Sequence, residues 1–153
     1  MMWQQYRSHA LPIIREHFPP ELIEDNGDSI VVTSRRDFTT YILSEDERGI
    51  VIAYEGERNT VVPFCITQSL ELAATCLTLL ARDGIATLTD MSYTPQDLLG
   101  PLPHTAFTIS KKSPPFFELT STIDPTVSAT CRSFACARAI AEASAPSLDS
   151  LRP

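Results

Sequence analysis

The chain has 153 residues, 43% of them hydrophobic and 20% charged, with 12 Lys and Arg against 19 Asp and Glu for a net charge of −7. That length suits one domain with a sizeable core. The acidic balance argues against nucleic acid or an anionic membrane surface as the main partner, because neutralising phosphates takes clustered Lys and Arg.

Trp3, Tyr6, Ala10, Ile13, Ile14 and His17 recur at spacings of three and four, which predicts a helix over 3–18. Pro12 demands a kink there or a second helix from about Leu11, and Pro19-Pro20 ends the segment. Glu24-Asp25-Asn26-Gly27-Asp28 is turn chemistry. Four short runs follow at 29–33, 38–43, 50–54 and 60–66, β-branched or aromatic and alternating, with Phe38 and Ile42 expected on one face of the second. Short polar connections predict an antiparallel meander. Pro63 cannot donate to a ladder, so the fourth run is expected at a sheet edge.

Leu70, Ala73, Leu77 and Leu80 mark a helix over 68–82, with Thr67 as its cap and Gly84 at its end. Residues 95–99 fit one helical turn. Strands are expected at 105–110 and 116–121, joined through Lys111 to Pro115 as a hairpin. Asp124-Pro125 then opens an Ala-rich helix over about 125–143. The expected fold class is α+β: an antiparallel sheet, made of a four-stranded meander plus a hairpin, packed with about three helices. Residues 1–143 form the domain and 144–153 a C-terminal tail.

No run reaches the ~20 apolar residues of a membrane span. The start, Met-Met-Trp-Gln-Gln-Tyr-Arg-Ser-His, lacks the basic start, apolar middle and small-residue cleavage site of a secretory signal. A cytoplasmic protein is expected. Cys65, Cys76, Cys131 and Cys136 contain no Cys-x-x-Cys, and the three His are not at zinc-finger spacing from them. Four reduced core thiols are expected, and no metal or cofactor.

The chemical motifs fail one after another: no Gly-x-Gly-x-x-Gly, P-loop, Gly-x-Ser-x-Gly, His-Glu-x-x-His or calcium loop is present. His104 with Cys65 or Cys76 is the sharpest catalytic option, but nothing local marks either thiol as reactive, and a half-exposed loop histidine is the simpler reading. Glu55 and Glu57 share one loop, where a solvated hairpin tip explains them better than acid–base chemistry in a dry cleft. Arg35-Arg36 and Lys111-Lys112 read as solubilising or edge-protecting loop charges. No enzyme activity is expected.

Charge is distributed unevenly. Residues 1–76 hold 12 acids and 6 bases, and residues 77–153 hold 7 and 6. Much of the excess lies in Glu45-Asp46-Glu47 and Glu55-Gly56-Glu57, which suit the steering of a basic partner, although charged turns also serve solubility.

From Gly27 to Gly84, a strand at 28–33, a second carrying Phe38-Thr-Thr-Tyr41, a third followed by Glu57-Arg58-Asn59-Thr60, an apolar strand ending in Phe64 and a Leu-rich helix follow in that order. This resembles the TNT-antitoxin-like immunity proteins of actinobacterial polymorphic toxin systems. The Ala-rich helix ahead of Ala-Ser-Ala-Pro-Ser-Leu-Asp-Ser-Leu is similar to that family's C-terminal end. The resemblance implies a non-catalytic inhibitor that binds a cognate toxin, of the NAD-glycohydrolase type in the best-known case, and blocks its active site. A second resemblance, in element order, is to the class I type III secretion chaperones, homodimers that hold an extended effector segment. Both imply a protein partner. The residues expected to meet it are Glu45, Asp46, Glu47, Glu55 and Glu57, with Tyr54 as an aromatic anchor. Oligomeric state is left open.

Overall fold

The computed structural model describes residues 2–86, 88 and 99–149. Its elements in chain order are α1 (Trp3–His17), β1 (Ile23–Asp25), β2 (Ile30–Thr33), β3 (Thr40–Asp46), β4 (Gly49–Glu55), β5 (Val61–Thr67), α2 (Leu70–Asp83), β6 (Gly100–Pro101), β7 (Phe107–Lys111), β8 (Phe117–Ser121), β9 (Ser128–Cys131) and α3 (Phe134–Asp149). The class is α+β: nine antiparallel strands in the order β1-β2-β3-β4-β5-β9-β8-β7-β6, with three helices. The expected meander and hairpin are therefore halves of one sheet, joined where β5 meets β9.

α1 is one helix with Pro12 inside it and exposed. It buries Trp3, Tyr6, Ala10, Leu11 and Ile14, the spacing read from the sequence. The Trp3 indole donates to the Gly27 carbonyl at 2.6 Å, and Arg7 pairs with Asp25. These contacts hold a three-residue edge strand, β1, in a stretch that reads as turn chemistry alone; the turn itself is Asn26 to Ser29, closed by a 2.9 Å backbone bond.

β5 is interior, not an edge. The expectation failed because the demand on Pro63 is one-sided. Pro63 pairs with Ala53 of β4, while β9 reaches only Cys65, Ile66 and Thr67. The stretch holding the proline thus has a ladder on one side only and is locally an edge, which is where a residue without an N–H is tolerated. A register shift opposite Ile52 and Ala53 leaves Phe64 as the extra residue. The bulge lets Phe64 and Cys65, consecutive in the chain, both reach the core, each fully buried.

α2 is capped by Ser69, whose hydroxyl accepts from the Leu72 amide at 3.2 Å. Thr67, the expected cap, instead accepts from the Ser69 amide and donates to the Ser128 carbonyl at 2.6 Å, clipping β5 to β9. Gly84, at φ 83, ends the helix as expected. The expected turn at 95–99 lies outside the described residues except for Leu99.

The stretch 125–143 departs most from expectation. Asp124 caps a turn, accepting from the amide and hydroxyl of Thr126. The chain then enters β9, with Ala129 and Cys131 inward, before α3 begins at Phe134. Asp-Pro suits a turn as well as a helix start. The alternation of Ser128 to Cys131 decided for strand once β5 and β8 offered ladders on both sides. Ser133 caps the helix by accepting from the Cys136 amide at 3.0 Å. α3 runs to Asp149, so the segment expected as a tail from 144 begins inside a helix.

The main core lies between one face of the sheet and the three helices. Ile30, Val32, Tyr41, Leu43, Ile50 and Ile52 from the first half of the sheet meet Phe107, Ile109 and Leu119 from the second, under Leu72, Leu77, Leu80 and Ile140 of the helices. Val51, Ala53 and Ile66 form a separate apolar cluster on the opposite face, made of strand residues alone.

Candidate functional site

The helix-free face has two kinds of surface. The register places Val31, Ile42, Ala53 and Pro63 in one row across β2 to β5, and Ser44, Val51, Ile66, Thr130, Glu118 and Ser110 in the next. The first half of the sheet thus carries an apolar strip on this side, bordered by Thr33, Thr40 and Ser44, and the second half, through Thr130, Glu118, Thr120, Ser128 and Thr108, is polar. Val51 and Ile66 are 7% exposed and Ala53 is 1% exposed, although the three helices among the described residues pack on the other face. Val31, Ile42 and Pro63 extend the strip as half-buried residues. The centre of the strip is thus closed from solvent within the chain, and the apolar residues of the strip still open to a partner are the half-buried Val31, Ile42 and Pro63.

A cleft of about 500 Å³ opens at the join between the halves, lined by Arg48, Ile66, Gln68, Lys112, Phe116 and Thr130 among others. Lys112 reaches across it, 2.9 Å from Glu118 and 3.2 Å from the Thr130 hydroxyl. The Arg132 guanidinium lies 5.8 Å from the Phe116 ring. The cations around the cleft are therefore engaged by carboxylate, hydroxyl or ring.

The six residues expected at the interface do not form one patch. Glu45, Asp46 and Glu47 lie at the β3–β4 turn, whereas Glu55 ends β4 at its other end and Glu57 lies just beyond it, roughly 20 Å away at the rise of an extended strand. They also divide between faces. Glu45 pairs with Ile50 on the helix side, where one carboxylate oxygen accepts from the Met2 amide at 2.9 Å and the other is buried without a partner. Tyr54 is on that side too, half-buried with its ring 6.0 Å from Phe64, and so packs on the core. Asp46 and Glu55 share the helix-free face, at opposite ends of the apolar strip. Asp46 is bound by Arg48, whose guanidinium holds its carboxyl below the usual carboxylate range. Glu47, Glu55 and Glu57 are exposed.

The catalytic option does not assemble. His104 is exposed, at φ 64 in the turn before β7, while all four thiols are fully buried. Among the described residues, no group of three or more His, Cys, Asp or Glu is arranged to hold a metal ion, and no helix is long and apolar enough to cross a membrane. Arg35 pairs with Glu21, and Arg36 donates to the Arg82 carbonyl.

Two features escaped the sequence reading. The apolar strip had a signal: Ile50-Val51-Ile52-Ala53 is continuously apolar, the pattern of a strand covered on both faces. Phe38 had none. It lies outside β3, in the 34–39 loop, at φ 56 and 85% exposed, because Asp37 ties the loop inward through Thr39, Tyr41 and Ile85. It does not share a strand face with Ile42.

Compared with protein-family models, curated proteins and solved structures, the chain matches none of them.

Proposed function

We propose that this chain is a non-catalytic immunity protein that binds a basic cognate toxin, of the NAD-glycohydrolase type, and blocks access to its active site. The observation that carries the reading is the helix-free sheet face: an apolar strip of Val31, Ile42, Val51, Ala53, Pro63 and Ile66 with Glu24, Asp46 and Glu55 on its margins. Val31, Ile42 and Pro63, half-buried in the chain alone, are the part of the strip a partner could cover at the centre of a standard interface of ~800 Å² per partner, over the already buried Val51, Ala53 and Ile66. Carboxylates at its rim raise the rate of encounter with a cationic surface more than the final affinity. The net charge of −7 acts in the same sense at longer range. The toxin class comes from the resemblance, and the docking face from the geometry.

The test is co-expression with the product of the adjacent gene. That product is expected to arrest growth alone and to be neutralised by this chain. Ile42→Asp, at a half-buried position on the open face, is expected to abolish protection while leaving circular dichroism unchanged. Glu47→Lys, Glu55→Lys and Glu57→Lys together are expected to slow association at least tenfold at low salt. A harmless neighbour, or full protection by the Ile42→Asp variant, refutes the proposal.

A second reading, the acidic secretion chaperone of the type III class I kind, is favoured by one observation. The helix, strands, helix, strands, helix order belongs to a single sheet with its helices on one side. It requires a homodimer, so a monomeric mass by light scattering eliminates it.

A further inference from the structure

The four cysteines meet at the join between the halves of the sheet. Cys65 on β5 and Cys76 on α2 belong to the first half, and Cys131 on β9 and Cys136 on α3 to the second. All four are free and 0% exposed. β5 and β9 are joined by only three residue pairs, Cys65 with Cys131, Ile66 with Thr130 and Thr67 with Ala129.

The pairing pattern decides which thiols can be bridged. The Arg132 amide donates to the Phe64 carbonyl at 2.9 Å. That bond runs between the residues flanking Cys131 and Cys65, so these two are a non-hydrogen-bonded pair. In such pairs the side chains of antiparallel strands come closest, with Cα atoms about 4.5 Å apart. Disulfides accept Cα separations of about 4.4–6.8 Å. Both residues also face the same side of the sheet, into the main core.

The neighbouring thiols act in opposite directions on the two partners. The neighbouring thiols of Cys131 and then Cys76 pull Cys65 down against the effect of burial. Cys131 is pushed up by Cys136 and Cys65, and by burial. The Tyr6 hydroxyl is fully buried with no hydrogen-bond partner, and it interacts with Cys76 and Cys65.

We propose that Cys65 and Cys131 are an oxidation site, where hydrogen peroxide forms a cross-strand disulfide that staples the two halves of the sheet together. The Cys65 thiolate attacks one peroxide oxygen, the O–O bond breaks, and Cys65 becomes a sulfenic acid as hydroxide leaves and takes up a proton. The Cys131 sulfur then attacks the Cys65 sulfur. The S–O bond breaks, the Cys131 proton goes to the departing hydroxide, and a second water forms. Two thiols and one peroxide give one disulfide and two waters, the two electrons passing from sulfur to oxygen. A small oxidant is required because the thiols are sealed from solvent.

The test uses the full chain without substitution. Purified reduced protein is treated with millimolar peroxide, denatured, alkylated and digested without reduction. The expected product is a single cross-linked peptide pair containing Cys65 and Cys131, with Cys76 and Cys136 alkylated. Closing a loop of roughly 65 residues is expected to raise Tm by about 5–15 °C, reversed by dithiothreitol. Four alkylated cysteines, a linkage through Cys76 or Cys136, sulfinic acid without a cross-link, or a cross-link that leaves Tm unchanged or lower would each overturn the proposal.

Discussion

The Tyr41 phenol donates a 2.8 Å hydrogen bond to Asp37 Oδ2 and so joins the first inward residues of β3 to the loop that precedes it. The same carboxylate accepts from the Thr39 amide at 3.1 Å and from the Ile85 amide, just past the end of α2, at 3.5 Å. One side chain thus ties a loop, a strand and a helix terminus. Partial burial disfavours its charge, but the Tyr41, Thr39, Ile85 and Ser34 interactions outweigh that, and the carboxyl is held below its ordinary value. Because the folded pKa is depressed, the stabilisation is complete above the unfolded value near 3.9 and is lost as pH falls through the folded value. Asp37→Asn is therefore expected to be less stable than wild type by about 1–2 kcal/mol at pH 7. That difference should shrink toward zero by pH 2, as read from urea midpoints at the two pH values. A pH-independent difference would show that the carboxylate charge is not what ties these elements.

Phe38 is held outward with a left-handed backbone, at φ 56. Its ring contributes little to the core, and glycine takes that conformation without steric cost. Phe38→Gly is expected to leave the fold intact and raise stability by about 0.5–1 kcal/mol, measured by thermal unfolding. A loss above ~1 kcal/mol would mean the ring has a structural role.

Gly49 opens β4 at φ 127, and a Cβ there would lie 2.5 Å from the Thr67 carbonyl oxygen. That atom belongs to the backbone of a paired strand and cannot yield as a side-chain tip would. Gly49→Ala is expected to cost at least about 2 kcal/mol in urea unfolding. Gly27→Ala, also at positive φ but with open space around its Cβ, should cost less, about 1 kcal/mol. Equal costs would remove the steric argument and leave backbone conformation alone.

The start of α3 permits a direct comparison of two helix-start signals. Ser133 is 1% exposed, donates to the Leu88 carbonyl and accepts from the Cys136 amide. Among the described residues the Asp124 carboxylate bonds only to Thr126, within its own exposed turn. Ser133→Ala is expected to cost about 1.5–2.5 kcal/mol and Asp124→Ala less than about 1 kcal/mol. Guanidinium midpoints for the two variants check the order. The reverse order would mean that helix formation depends on residue 124.

Several features are local and could be read without coordinates. The spacing of Trp3, Tyr6, Ala10 and Ile14 determines α1, and Leu70 to Leu80 with Gly84 determines α2, because an apolar face repeating every 3.6 residues has one way to be buried. Short polar turns determine the antiparallel meander, since a two- to six-residue link cannot reach a parallel neighbour. Non-local pairing decided the rest. Asp124-Pro125 carries the same chemistry in a turn as at a helix start, and only the open edges of β5 and β8 drew Ser128 to Cys131 into the sheet. Pro63 can sit in an interior strand because β9 stops short of it. The acidic residues were legible as a composition but not as a surface. Alternation along β3 and β4 sends Glu45 and Tyr54 to the helix side and Asp46 and Glu55 to the open side, and which side the helices cover is a property of the packed molecule. The four cysteines show the same limit: separations of 11, 55 and 5 along the chain carry no hint that one strand register brings two of them face to face.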